Sequence, residues 1–250
     1  MKVVGLGTAG CNIAKAFSKF PQYEAYGIDT SREADITIKK KNTHEEYDAS
    51  FPDLKRKFKF KNEEVLLIVC GAGRISGGSL RLLEQLSNND VRVIYVQPDL
   101  SLMSETQKMQ ERIVRNVLQE YARSGAIERI YLIDNLALEK SIGDVAIVGY
   151  YDTLNQAVVN TIHMINVFEN TDPVIGNFIV PHDIARITTV GIVTIGDGDT
   201  DEKENWFYDL TTPRDVVYYY GIGKDDLSND GTLFRRINGF VKSKIEEGLS

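Results

Sequence analysis

The sequence predicts an α/β protein: a parallel sheet covered by helices, then a long central helix, then a smaller α+β unit. Three observations carry this expectation. Short apolar runs recur and end in glycine or a polar residue, as strands buried on both faces do. Segments of helical periodicity alternate with them, the order that builds a parallel sheet. After about residue 170 the glycine turns stop and the pattern changes. The expected divisions are 1–149, the connecting helix 150–170, and 171–250.

The first run is Val3-Val4-Gly5-Leu6-Gly7-Thr8-Ala9-Gly10-Cys11-Asn12, a short strand entering a glycine turn. A helix over about 11–19 follows, with Ile13, Ala14, Ala16, Phe17 and Phe20 as its apolar stripe. Gly5, Gly7 and Gly10 make a G-x-G-x-x-G, which brings backbone N–H groups and a helix N-terminus to a phosphate. Tyr26-Gly27-Ile28-Asp29 ends a second strand. Asp29 lies 19 residues after Gly10, near the ribose-binding acid of a Rossmann fold.

Residues 32–64 read as polar and irregular. Lys39-Lys40-Lys41 and Lys55-Arg56-Lys57 read as solvated loop charge rather than an anion patch. Lys57-Phe58-Lys59-Phe60-Lys61 alternates like an exposed edge strand. Val65 to Val69 is the clearest buried strand, and a second glycine-rich turn follows it: Cys70-Gly71-Ala72-Gly73-Arg74-Ile75-Ser76-Gly77-Gly78-Ser79. Two such turns at carboxyl ends of parallel strands suggest a phosphate chain held from both sides. Close packing of helix on strand also asks for glycine.

Val91 to Val96 is the next strand. Ser104, with Gln107 at capping-box spacing, opens a long helix, with Met109, Ile113, Val117 and Tyr121 as its apolar face and Gly125 as its end. Ile130 to Ile133 is a strand closing at Asp134-Asn135. Residues 150–168 form a helix apolar on more than one face, so buried on several sides, and His163 within it reads as a core or interface histidine. Ile187–Ile195 and Val216–Tyr220 read as strands. Residues 196–202 read as an acidic hairpin loop, since the glycine and acid of a calcium loop are missing. Residues 231–247 read as a closing helix with Leu233, Phe234, Ile237, Val241 and Ile245 inward.

Composition narrows the function classes. The 250 residues are 42% hydrophobic and 26% charged, enough for a real core. The net charge of −7 argues against a nucleic-acid grip over the whole surface and leaves room for a local basic patch. No run approaches the roughly 20 apolar residues of a spanning helix, and no leader pattern precedes the first strand. Cys11 and Cys70 have no metal-like spacing, and no metal-ligating set stands out. They read as reduced, packed thiols of a cytoplasmic protein.

The order of these parts resembles the tubulin/FtsZ superfamily of GTP-binding, filament-forming proteins. Gly7-Thr8-Ala9-Gly10-Cys11-Asn12 resembles its first phosphate loop, and Ile28-Asp29-Thr30 its second-strand segment. Gly71 to Ser79 stands where the family has its glycine signature. Asn135 resembles the asparagine that contacts guanine. Asp152-Thr153-Leu154-Asn155-Gln156-Ala157-Val158 resembles the start of the central helix, whose acid also reads guanine. His182-Asp183-Ile184 resembles the catalytic loop. The likeness spans about residues 1–195, with departures: Arg74-Ile75 replaces a glycine pair, Ser79 a glycine, and Val180 a second acid.

The resemblance implies GTP or GDP, with Mg²⁺, held by Gly7, Thr8, Ala9, Gly10, Cys11, Asn12, Asp29, Gly71, Ala72, Gly73, Arg74, Ser76, Gly77 and Gly78. It implies that Asn135 and Asp152 read guanine. It also implies that Asp183 completes hydrolysis on the neighbouring copy in a head-to-tail homopolymer. Two other readings stay open: an NAD(P)-dependent oxidoreductase, supported by the first turn and Asp29, and a nucleotide-binding polymer without turnover, suggested by the departures.

Overall fold

The structure is a computed structural model that describes residues 1–71, 73–174, 179–194 and 203–246. Its centre is a seven-stranded parallel sheet: β1 (Lys2–Leu6), β2 (Glu24–Asp29), β3 (Ile36–Thr37), β4 (Glu64–Cys70), β5 (Asp90–Gln97), β6 (Arg129–Asp134) and β7 (Ile187–Thr188). The order is β3-β2-β1-β4-β5-β6-β7, every neighbouring pair parallel. The chain builds outward from β1 to one edge, returns to its other side at β4, and builds outward again.

Helices cover both faces. On one lie α1 (Gly7–Phe17), α5 (Asn135–Ile142) and α6 (Tyr150–Glu169); on the other lie α2 (His44–Ala49), α3 (Ser79–Leu86) and α4 (Glu105–Arg123). Strand side chains alternate between two cores, because successive residues of a strand point to opposite faces. Val4, Leu67, Val93 and Leu132 face α3 and α4, while Val3, Ile68, Ile94 and Ile133 face α1 and α6. This is the α/β architecture the apolar runs predict.

Local expectations fare unevenly. Ser104 and Gln107 form the capping box, and Gly125 ends α4 with φ +78°. The face of α4 is corrected: Glu111, Val114, Leu118 and Ala122 are buried, while Met109 and Ile113 are exposed. Residues 57–61 join no strand; Phe58 and Phe60 are buried and the lysines between them exposed. Residues 32–64 are less irregular than expected, since β3 and α2 lie within them.

The central helix buries Leu154, Val158, Val159 and Ile162 against the sheet. It runs antiparallel to the strands. Glu169 at its end pairs with Arg92 near the start of β5 at 2.8 Å, and Arg92 also grips Glu128 at 2.9 Å. His163 is an interface histidine, stacked on Phe20 at 3.8 Å between centroids and hydrogen-bonded to the Tyr23 hydroxyl.

Beyond residue 170 the chain returns to the sheet as β7, then forms an antiparallel pair, β8 (Gly191–Thr194) with β9 (Lys203–Trp206). Val190 and Phe207 belong to the α1/α6 core. The single strand expected over Ile187–Ile195 is therefore two, in two sheets. Val216–Tyr220 forms none. The closing helix α8 (Leu233–Glu246) follows a short helix α7 (Lys224–Asn229) and buries Phe240, while Phe234 and Ile245 face outward. The acidic segment 196–202 lies outside the described residues. No helix among the described residues is long and apolar enough to cross a membrane.

Candidate functional site

Parallel strands put all their carboxyl ends along one edge, and ligands of open α/β sheets sit where the strand order reverses. Here that point lies between β1 and β4, and the two glycine turns leave those two strands. The first turn is abrupt: α1 begins at Gly7, directly after β1, with φ +75°. Gly5 and Gly10 lock helix to strand, since a Cβ on Gly5 would overlap the Gly10 carbonyl and one on Gly10 would come 3.0 Å from the Ile68 carbonyl oxygen.

The N-cap position of α1 is Leu6, whose side chain cannot cap, and no other side chain among the described residues bonds the first amides. Among the described residues its first amides therefore lack both intrahelical and side-chain partners, and Thr8, Ala9 and Asn12 are exposed beside them. Asp29 ends β2 next to this turn, buried. It accepts the Thr8 hydroxyl and the Thr30 N–H, each at 2.7 Å. Cys11 is half-buried behind the turn and Cys70 ends β4; burial pushes both thiols up to about 12, so both stay protonated. Both are free cysteines.

The second turn is built differently. A short 3₁₀ helix spans Arg74–Gly78 and runs straight into α3. A Cβ on Gly71 would overlap the Tyr95 hydroxyl, on Gly77 the His44 carbonyl, and on Gly78 the Phe51 ring. Packing thus accounts for three of the four glycines. Gly73 is exposed, its nearest neighbour 3.5 Å from a Cβ position. Ser76 is buried and donates its hydroxyl to the Gly73 carbonyl at 2.7 Å, closing the turn. Arg74 is exposed, with no ion pair among the described residues. Ala72 lies outside the described residues.

Two features of this region have weak sequence signals. Ile75 leans across to the first turn: a Cβ on Gly7 would lie 2.6 Å from the Ile75 Cγ2. Beneath Gly71, Glu111 is 1% exposed and accepts Arg115 Nε at 2.9 Å and the Tyr95 hydroxyl at 3.1 Å. A lone glutamate at an apolar position of α4 was the available clue.

Further along the edge, Asp134 caps α5 by accepting the Leu136 and Ala137 amides, and accepts Gln97 Nε2 at 2.6 Å. Asn135 starts α5, half-buried. Gly149 precedes α6 in the left-handed region with no side-chain cap, and Asp152 stands exposed in the first turn. Tyr150 ties that turn to α5 through Glu139; partial burial and this bond push its hydroxyl up to about 12. The described residues among Gly7–Asn12, Asp29, Gly71–Gly78, Asn135 and Asp152 therefore all sit at one edge of the sheet.

Asp183 does not join them. It lies in the turn before β7, and β7 pairs with β6 from Ile130 onward, so this turn sits at the strands' amino ends. The separation is a strand length, about 17 Å for six residues. His182 fixes the turn by donating its N–H to Asp215 and pairing its ring with it at 2.8 Å; the contact holds the Asp215 carboxyl below its usual range. Asp183 itself is exposed.

No protein-family model matches the sequence, and no curated protein does. Solved structures do. An FtsZ mutant from M. jannaschii superposes with a TM-score of 0.60 at 13% identity, over 78% of this chain and 66% of that one. TubZ from Bacillus thuringiensis serovar israelensis, in a GTPγS-form protofilament, gives 0.57 at 16%, over 71% and 58%. An empty FtsZ dimer from M. jannaschii gives 0.54 at 12%, over 70% and 56%. The chain spans between about half and two thirds of the length of these proteins. It has the fold that FtsZ and TubZ share.

Proposed function

We propose that the protein binds guanine nucleotide at the carboxyl edge of its sheet and assembles head to tail, with Asp183 completing hydrolysis on the adjacent copy. The observation that carries this reading is the separation of the nucleotide-type residues and Asp183 by the length of the sheet. One copy cannot bring them together. A neighbour stacked end to end does, and such a heterologous contact propagates as a filament.

The residues present fit the ligand. The uncapped amides of α1 from Gly7 to Gly10 suit an anion, and Arg74 of the second turn, exposed and without an ion pair among the described residues, offers a positive charge. A carboxylate at 152 accepts from both the N1–H and the 2-amino group of guanine, which adenine does not offer together. Asn135 adds a carboxamide that both donates and accepts. Mg²⁺ is bound mainly by phosphates and water; when present, the nucleotide and its ion supply the phosphoanhydride and charge neutralisation. Asp183 would accept a hydrogen bond from the attacking water and orient it.

Exposed apolar side chains at both ends support the assembly half of the reading. Ile147 and Val148 beside α6 are 94% and 93% exposed, and Val174 and Ile184 near the far end 85% and 75%. Contiguous exposed apolar surface commonly marks an interaction site. In this reading residues 1–149 bind nucleotide, 150–170 connect, and 171–250 carry the opposite contact face.

The test is incubation with GTP, GDP, ATP or NADH, followed by binding, sedimentation and phosphate release. GTP-dependent pelleting with phosphate release supports the proposal. NADH binding without guanine preference overturns it in favour of an oxidoreductase. Pelleting without release leaves a non-hydrolysing polymer.

A further inference from the structure

Residues 39–61 hold eight Lys and Arg against four Asp and Glu, in a chain whose net charge is −7. Five of these cations fall within seven positions: Lys55, Arg56, Lys57, Lys59 and Lys61. All five are exposed, and none makes an ion pair among the described residues. Of the nearby carboxylates, Asp53 accepts the Lys55 backbone N–H and Glu63 faces Lys2 at 3.6 Å.

This segment is not a loose charged loop. Leu54, Phe58 and Phe60 are buried in the core, with Phe60 5.3 Å from Phe58 and 5.4 Å from Tyr26 between ring centroids. Lys57, Lys59 and Lys61 are therefore held outward on a ridge whose alternate residues are pinned. Pre-organised side chains lose less entropy on binding.

We propose that this ridge is a docking surface for the phosphate backbone of nucleic acid, recognised without regard to sequence. The apolar residues of the segment are spent on the core, so it offers no anchor for the centre of a protein interface. It also lies on neither an amphipathic helix nor a membrane-flanking segment, the settings in which basic clusters hold anionic lipid. Phosphate-backbone binding needs neither.

The experiment uses the full chain and a fluorescein-labelled mixed-sequence DNA duplex, followed by anisotropy at 50 and 200 mM salt. Four to five phosphate contacts predict that affinity falls by about 10²- to 10³-fold over that range. Lys57→Glu, Lys59→Glu and Lys61→Glu together weaken binding at 50 mM by at least about tenfold and flatten the salt dependence. The milder Lys→Gln triple variant gives a smaller loss in the same direction, with thermal melting as the check on folding. A control triple of equal charge change, Arg112→Glu, Lys224→Glu and Arg235→Glu, stays within about twofold, since backbone contacts act over a Debye length. No binding at 50 mM, an equal loss in the control, or tighter binding to phosphatidylserine vesicles or to polyglutamate than to the duplex would each overturn the proposal.

Discussion

The two glycine turns look alike in sequence and do different work in the fold. In the first, packing glycines bracket the turn: Gly5 and Gly10 press strand to helix, and Gly7 to Ala9 between them open α1 with uncapped amides, Thr8 and Ala9 exposed. In the second, the packing glycines dominate: Gly71 rests on Tyr95, and Gly77 and Gly78 are pressed against α2 and Phe51. Only Gly73, Arg74 and Ile75 of the described residues there are not buried. The count of glycines thus overstates how much of the second turn is free to meet a ligand. Arg74 and the contact from Ile75 to Gly7 are what it brings to the site.

Substitutions can break this contrast, beginning with the largest effect. Glu111→Ala strips the part-exposed Arg115 and the buried Tyr95 hydroxyl of their partner, and loss of charged hydrogen bonds of this kind costs up to about 3 kcal/mol; urea unfolding should show it as a lowered midpoint. Gly71→Ala and Gly77→Ala force a methyl into occupied space and should cost about 1–3 kcal/mol each. Gly73→Ala, with room for a methyl and an ordinary extended backbone, should stay within about 0.5 kcal/mol. Equal losses at 71, 73 and 77 would erase the distinction between packing and exposed glycines.

Two smaller effects sharpen the account of the first turn. Thr8→Val removes the hydroxyl bond to Asp29 and should cost about 1 kcal/mol, measurable in the same titration. The Cys11 thiol, raised to about 12, should react with iodoacetamide at pH 8 far more slowly than a free cysteine of pKa about 8.5. The sign for stability follows. Well below pH 8.5 the thiol is protonated folded or unfolded. Between about 8.5 and 12 the unfolded chain ionises first, so stability falls as pH rises through that window. A fast-labelling Cys11 in the native protein would mean the turn opens.

Strands β1, β2, β4, β5 and β6 were legible because each is an apolar run ended by glycine or a polar residue, and Ser104 announced its helix through capping; the two residues of β3 and the polar Lys203–Trp206 of β9 carry no such run. The inward face of α4 was not. Met109, Ile113, Val117 and Tyr121 recur every four residues, and four residues overshoot a 3.6-residue turn by about 40° each time, so that stripe walks round the helix. The true face contains Glu111, a charge that hides it. Lys57 to Lys61 alternated as a strand does, but the alternation records Phe58 and Phe60 gripping the core, with no partner strand beside them. At the site, glycine patterns marked the two turns and spacing marked Asp29, while Asn135 and Asp152 were named only through the family resemblance. The reach of Ile75 and the Glu111 contacts with Arg115 and Tyr95 under Gly71 join elements distant in sequence, and only the lone glutamate hints at them.

The central claim, a nucleotide site completed by a neighbour, is tested most directly by mixing two disabled variants. Asp183→Ala keeps its nucleotide edge, and Asp152→Ala keeps its loop acid. Each alone should release little phosphate from GTP. In an equal mixture about a quarter of head-to-tail contacts pair an intact nucleotide edge with an intact acid, so phosphate release should recover toward a quarter of the unmodified rate. Release no greater than the sum of the two variants alone, or full release by Asp183→Ala without a partner, would contradict the account.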